Sequence, residues 1–125
     1  MREIRLTSSR REELIDITDE VQNLIDEENI RDGFAMLYVP HTTAAVTINK
    51  GADSTVQEDI KEMLSRLIPR DKNYHHLEGN SDAHIKAGLL GVNVNVLVKD
   101  GKLMLGTWQH IFSTKEMSQG QEKYM

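Results

Sequence analysis

Val92-Asn93-Val94-Asn95-Val96-Leu97-Val98 alternates small polar and apolar residues and runs straight into Lys99-Asp100-Gly101-Lys102. Period-two hydrophobicity is a strand signal. An Asp-Gly pair between strand-like runs favours the tight reversal of an antiparallel hairpin. A chain with this segment must build an antiparallel sheet, and Leu103 to about Phe112 is the expected return strand. Glu3 to Thr7 alternates in the same way, and Leu14 to Thr18 is a short apolar piece. Phe34 to Val39 reads as a buried strand that Pro40 breaks or leaves at an edge.

Helical signals separate these runs. Thr18 can cap a helix over Asp19 to Glu28, with acids in its first turn and Val21, Leu24 and Ile25 as its apolar stripe. Arg31-Asp32-Gly33 is a stop-and-turn signal. Asp53 or Ser54 starts the clearest helix, in which Val56, Ile60, Met63, Leu64 and Leu67 recur at helical spacing until Pro69. Ser81 or Asp82 opens a shorter one, His84 to Leu90, which Gly91 stops. The order predicts a single α+β domain in two layers, a mainly antiparallel sheet with helices packed on one face. A chain of 125 residues is long enough for one such core.

Composition excludes several classes. There is no cysteine, hence no disulfide and no thiolate metal site. The net charge of −5 and the scattered basic residues argue against a nucleic-acid partner. No apolar run is long enough to span a bilayer, and the polar start lacks a hydrophobic signal core. A cytoplasmic protein is expected, with a small phosphorylated metabolite as an admissible ligand.

The chemistry concentrates in Tyr38-Val39-Pro40-His41-Thr42-Thr43-Ala44-Ala45-Val46-Thr47-Ile48-Asn49. Strand parity puts His41, Thr43, Ala45, Thr47 and Asn49 on one face, and Thr42, Ala44, Val46 and Ile48 on a more apolar one. Small residues beside polar ones leave room for a ligand; a half-exposed strand with solvated threonines explains the same pattern. The histidines are His41, His75, His76, His84 and His110. No two of them share one helix at metal-binding spacing, although His41, His76 and His84 could meet in space around a divalent ion as neutral imidazoles. Each can equally be a surface histidine, and His75 is read that way. Asp53, Glu58 and Asp59 suit a helix N-terminus without further role; Asp53 is the better ion ligand because it follows the polar strand. Lys86 could meet a phosphate or be solvated. Trp108, in Gly106-Thr107-Trp108-Gln109, could fill the core or wall a pocket.

Taken together in register, the His41–Asn49 run, Ala83-His84-Ile85-Lys86-Ala87 with Leu90-Gly91, and Gly106-Thr107-Trp108-Gln109 resemble the YjbQ family, often called the secondary thiamine-phosphate synthase family. The resemblance covers about Ile4 to Ile111. It implies a compact α+β homotrimer with histidines and acids at a metal or anion site near subunit boundaries. The matching positions are His41, Asn49, Asp53, Asp59, His76 (with Tyr74 before it), His84, Trp108 and Gln109. The implied reaction joins a pyrimidine methyl diphosphate to a thiazole phosphate and expels pyrophosphate. Under it His41, His76 and His84 hold a magnesium or zinc ion or the diphosphate, and Asp53 or Asp59 supports the ion. Asn49, Thr47 and Gln109 orient substrate, Trp108 walls the pocket, and Lys86 meets phosphate. The alternative is a metal- or metabolite-binding homotrimer without catalysis, or a trimer whose histidines merely pack. Three departures stand out. Lys50 replaces a usual acid, His110 replaces a small residue, and after about 112 the family's closing acidic-Gly-Pro-Arg turn and final strand are missing or divergent.

Overall fold

The computed structural model describes residues 1–7, 12–70, 73–75, 81–116 and 122–124. The elements are β1 (Arg5–Thr7), β2 (Glu12–Asp16), α1 (Thr18–Glu27), β3 (Gly33–Tyr38), β4 (Ala44–Lys50), α2 (Ser54–Leu67), α3 (Ser81–Leu90), β5 (Asn93–Lys99), β6 (Lys102–Leu103), β7 (Gln109–Glu116) and β8 (Glu122–Tyr124). The fold is α+β with antiparallel pairing throughout, as the alternation predicts. The strands form two three-stranded sheets, β2-β7-β4 and β3-β5-β6, with β1 and β8 paired separately.

The Asp-Gly reversal forms as expected. Asp100 and Gly101 both have positive φ, 51° and 79°, the geometry that such a pair tolerates. Its tip docks on the Arg31-Asp32-Gly33 turn: the Gly101 amide donates to the Arg31 carbonyl at 2.9 Å, and the Asp100 amide to Asp32 Oδ1 at 3.2 Å. Gln22 on α1 grips the same hairpin, donating to the Gly101 carbonyl at 2.8 Å and accepting from the Leu103 amide at 3.1 Å. The return strand is broken: β6 ends at Leu103, and a turn through Gly106 to Trp108 precedes β7. Beyond Phe112 the chain continues in β7 to Glu116, and β8 pairs with β1.

The core lies between the two larger sheets and α1. Ile17, Val21, Ile25, Leu37, Val39, Val46, Val96, Val98 and Ile111 are buried there together. Thr18 does not cap α1 but begins it. Its hydroxyl donates to Asp16 Oδ1 at 2.7 Å and accepts from the Ile111 amide at 2.9 Å, which ties α1 to both β2 and β7. A second buried set, Ala45, Ala83, Ala87 and Phe112, stands outside that cluster, where α3 lies against β4 and β7.

Two faces differ from the sequence expectation. β3 is not buried on both sides. It is an edge strand, and Phe34, Met36 and Tyr38 are 66%, 63% and 55% exposed. α2 is capped by Asp53, which accepts from the Thr55 amide at 2.9 Å, yet none of its residues is fully buried. The apolar stripe of α2 is thus only partly covered by this chain.

Candidate functional site

Pro40 ends the run of β3, and the chain turns through His41 to Thr43 into β4. The end of α3 is brought to the same corner by backbone contacts. The Val39 amide donates to the Val92 carbonyl at 2.8 Å, and the Val46 amide to the Gly91 carbonyl at 3.2 Å. Gly91 sits at φ 95°, a left-handed helix stop that glycine adopts without strain. His41, Thr42, His84, Ala87, Gly88 and Val92 line an open concavity of about 370 Å³ there. The small Ala87 and Gly88 leave the space, and the two histidines supply its polar chemistry. His41 Nε2 is buried and has no hydrogen-bond partner among the described residues. An imidazole nitrogen in that state costs desolvation free energy and is a ready ligand for an ion or a proton donor.

The other expected site residues gather elsewhere. Asn49, Asp53, Trp108 and Gln109 lie at the far end of β4, roughly 20 Å along an extended strand from Thr43. There Lys50 pairs with Gln109 and Asn49 with His110 across the ladder. Trp108 neither fills the core nor walls the histidine concavity; it is 61% exposed, with Lys50 Nζ 5.6 Å from its ring centroid. Gln109 Oε1 accepts from the Gly106 amide at 2.8 Å, closing its own turn. Asn49 Oδ1 accepts from the Lys50 amide at 2.8 Å. Thr47 and Asn49 line a separate hollow of about 70 Å³ with Leu14, Gln57, Ile60, Leu90, Phe112 and Thr114. Asp59 is exposed on α2. Lys86 is neither solvated nor open to a phosphate at the surface; it is 4% exposed, 3.7 Å from the fully buried Asp82 one helical turn earlier. His75 is exposed, and His76 lies outside the described residues.

One chain therefore assembles two of the expected metal ligands and separates them from the acids. Among the described residues no three His, Cys, Asp or Glu side chains form a metal-binding group. Two imidazoles, one with an orphaned buried nitrogen, fit zinc rather than magnesium, which prefers oxygen ligands. A complete coordination sphere needs donors beyond His41 and His84.

A feature the sequence analysis did not anticipate joins β2 to β7. His110 Nδ1 lies 2.6 Å from Asp16 Oδ2, while Asp16 Oδ1 accepts from the Thr18 amide at 3.0 Å and the Thr18 hydroxyl at 2.7 Å. The partners stand 94 positions apart, so no local motif could announce the pair. Partial burial pushes the Asp16 carboxyl up, but the hydrogen bonds from Thr18 and His110 outweigh it and hold it below its usual 3.8. A depressed carboxylate stabilises the folded state above its unfolded pKa and loses that contribution as pH falls through the folded value. Asp16→Asn is expected to destabilise the protein at neutral pH, with the difference from wild type closing below pH 3.8. Urea melts at stepped pH check this; a difference that stays constant with pH contradicts the assignment.

Comparison with known proteins follows the same outline. Residues 2–122 match the family model described as UPF0047 protein YjbQ-like. The chain is 53% identical over 108 residues to UPF0047 protein MJ1081 of Methanocaldococcus jannaschii, covering 86% of this chain and 78% of that protein. It is 39% identical over 113 residues to UPF0047 protein YugU of Bacillus subtilis, covering 90% and 86%. A crystal structure of an uncharacterised conserved protein of the YjbQ/UPF0047 family from Clostridium acetobutylicum superposes with a TM-score of 0.94 at 42% identity, covering 99% of this chain and 95% of that one. A YbjQ-like protein of unknown function from Sulfolobus solfataricus gives 0.93 at 30% identity, covering 98% and 90%. Sequence and backbone agree over nearly the whole length, and the chain belongs to the YjbQ (UPF0047) family.

Proposed function

We propose that this protein is a self-associating metabolite- or metal-binding protein, a homotrimer whose ligand site is centred on His41 and His84 and completed by a neighbouring subunit. The buried, unpartnered Nε2 of His41, in a concavity shared with His84, carries this reading. Self-association is supported by the outer face of the β3-β5-β6 sheet. Phe34 pairs with Leu97, Met36 with Asn95 and Tyr38 with Asn93 across it, and Met104 adjoins Leu97 through a 2.8 Å backbone bond. Leu97 and Met104 are 69% and 54% exposed. These side chains carry no charge, and the exposed pair Lys99 and Lys102 borders them at the hairpin end of the sheet, so the apolar part of the face suits another apolar face such as its own copy in a closed ring. Separation of Asp53, Trp108 and Gln109 from the histidines within one chain also favours a site that draws on two subunits.

The test is zinc content and zinc titration of wild type, His41→Ala and His84→Ala, with solution mass recorded. Losing either imidazole is expected to weaken zinc binding by at least roughly 10–100-fold. No zinc in wild type, with assembly intact, removes the metal and leaves a phosphate pocket. The transferase reading rests on the family resemblance. In it His41 and His84 would hold a divalent ion, which would supply positive charge for the pyrophosphate leaving group; Asp53 or Asp59 of an adjoining subunit would support that ion, and its Asn49, Thr47 and Gln109 would orient substrate. Release of pyrophosphate from the pyrimidine methyl diphosphate, dependent on the thiazole phosphate and abolished in His84→Ala, would support it.

A further inference from the structure

We propose that His110, oriented by Asp16, is a nucleophilic imidazole that accepts a small acyl group from an activated ester, at a site separate from the His41–His84 concavity.

Four observations converge on one ring. Asp16 Oδ2 lies 2.6 Å from Nδ1. An ionised carboxylate only accepts, so the contact puts a ring proton on Nδ1, and in the neutral imidazole the free lone pair is then the one on Nε2. No second polar partner of His110 exists among the described residues, and its side chain is 35% exposed. Asp16 cannot swing away, because Thr18 holds its other oxygen through two hydrogen bonds. The ring is also wedged in place. A Cβ on Gly51 would fall 2.0 Å from His110 Cγ, so only glycine allows the imidazole to lie against this turn. On the other side Phe112 stacks at 6.4 Å between centroids and 24° between planes. Carboxylate-oriented imidazoles with a free Nε2 are the recurrent form of a histidine that takes protons or acyl groups.

The surroundings select the electrophile. Asn49, the cross-strand partner of His110, and Phe112, its stacking partner, both line the neighbouring 70 Å³ hollow, which His110 borders through them without lining it. The hollow's lining is apolar at Leu14, Ile60 and Leu90 and neutral at Thr47, Asn49 and Gln57. That volume suits a short acyl chain. Asp16 beside the ring repels a phosphoryl dianion, and Lys50, which could offset it, lies over Trp108. In the step, the Nε2 lone pair bonds to the acyl carbon. The carbon–oxygen bond to the leaving group breaks, and the electron pair departs with that oxygen. The Nδ1 proton, shared with Asp16, passes to solvent and leaves a neutral acylimidazole, which water cleaves to the carboxylic acid.

The probe is diethyl pyrocarbonate, an activated acyl donor, with modification of each histidine followed by peptide mass spectrometry. His110 is expected to react faster than the exposed His75 in the same molecule. In Asp16→Asn, with circular dichroism reporting the fold, its rate is expected to fall about tenfold, the equivalent of one charge-assisted hydrogen bond. The amide can place its NH2 against Nδ1 and move the ring proton to Nε2. Should that variant not fold, nitrogen-15 shifts of wild-type His110 give the tautomer directly, and a proton on Nε2 overturns the proposal. Reaction no faster than at His75, or a rate indifferent to Asp16→Asn, overturns it as well.

Discussion

Phe112→Ala is expected to lower the unfolding free energy by about 3–5 kcal/mol, the usual range for a fully buried phenylalanine. Phe112 is 2% exposed and sits in the middle strand of its sheet, opposite Asp16 on one side and Thr47 on the other. Its ring walls the hollow under α2 and α3. Space already exists there, so truncation joins a new void to an old one, and the layer cannot close over it cheaply. A typical domain has only about 5–15 kcal/mol of stability, so the variant should be marginal at 37 °C. Urea unfolding of wild type, Phe112→Leu and Phe112→Ala checks it. The leucine variant keeps most of the volume and should lose about 1–2 kcal/mol. An alanine variant as stable as the leucine one would mean that the helices collapse onto the strand.

The second large effect is on assembly. Leu97→Glu and Phe34→Glu, made singly, are expected to reduce the solution mass to that of one chain. Each places a carboxylate within the apolar patch formed by Phe34, Met36, Tyr38, Leu97 and Met104, which Lys99 and Lys102 border at the hairpin end. In a closed ring every copy brings the same charge, and an unpaired buried charge is costly to desolvate. Folding itself should hardly change, since both side chains are about two-thirds exposed in the single chain and surface substitutions usually cost within about 0.5 kcal/mol. Sedimentation and thermal melts separate the two outcomes. A trimeric mass retained by both variants would move the interface elsewhere on the molecule.

Much of the local structure was legible from residues alone. The Asp100-Gly101 reversal, the Asp53 cap, the Gly91 stop and the strand parity of β4 each depend on neighbours within a few positions. Local sterics and hydrogen bonding favour each of them from its own neighbours in sequence. Parity also separated Ala44, Val46 and Ile48 from Ala45 and Thr47, and the structure packs these sets on different sides. The concavity that His41 shares with His84 depends on elements distant in the chain, and only the resemblance had placed the two residues in one site.

Register and layer packing decided what remained. Antiparallel pairing of β2 with β7 brings Asp16 to His110, and no pattern along the chain encodes a pair so distant. Packing of α3 on β4 buries Asp82 and Lys86 while leaving Leu89 64% exposed, the reverse of what side-chain polarity predicts. The length of β4 parts His41 from Asp53 and Trp108, which the family resemblance had assigned to one site. Sequence periodicity reports which side of an element a residue occupies. Only the tertiary structure determines what stands opposite, because that depends on how strands align and helices dock across the whole chain.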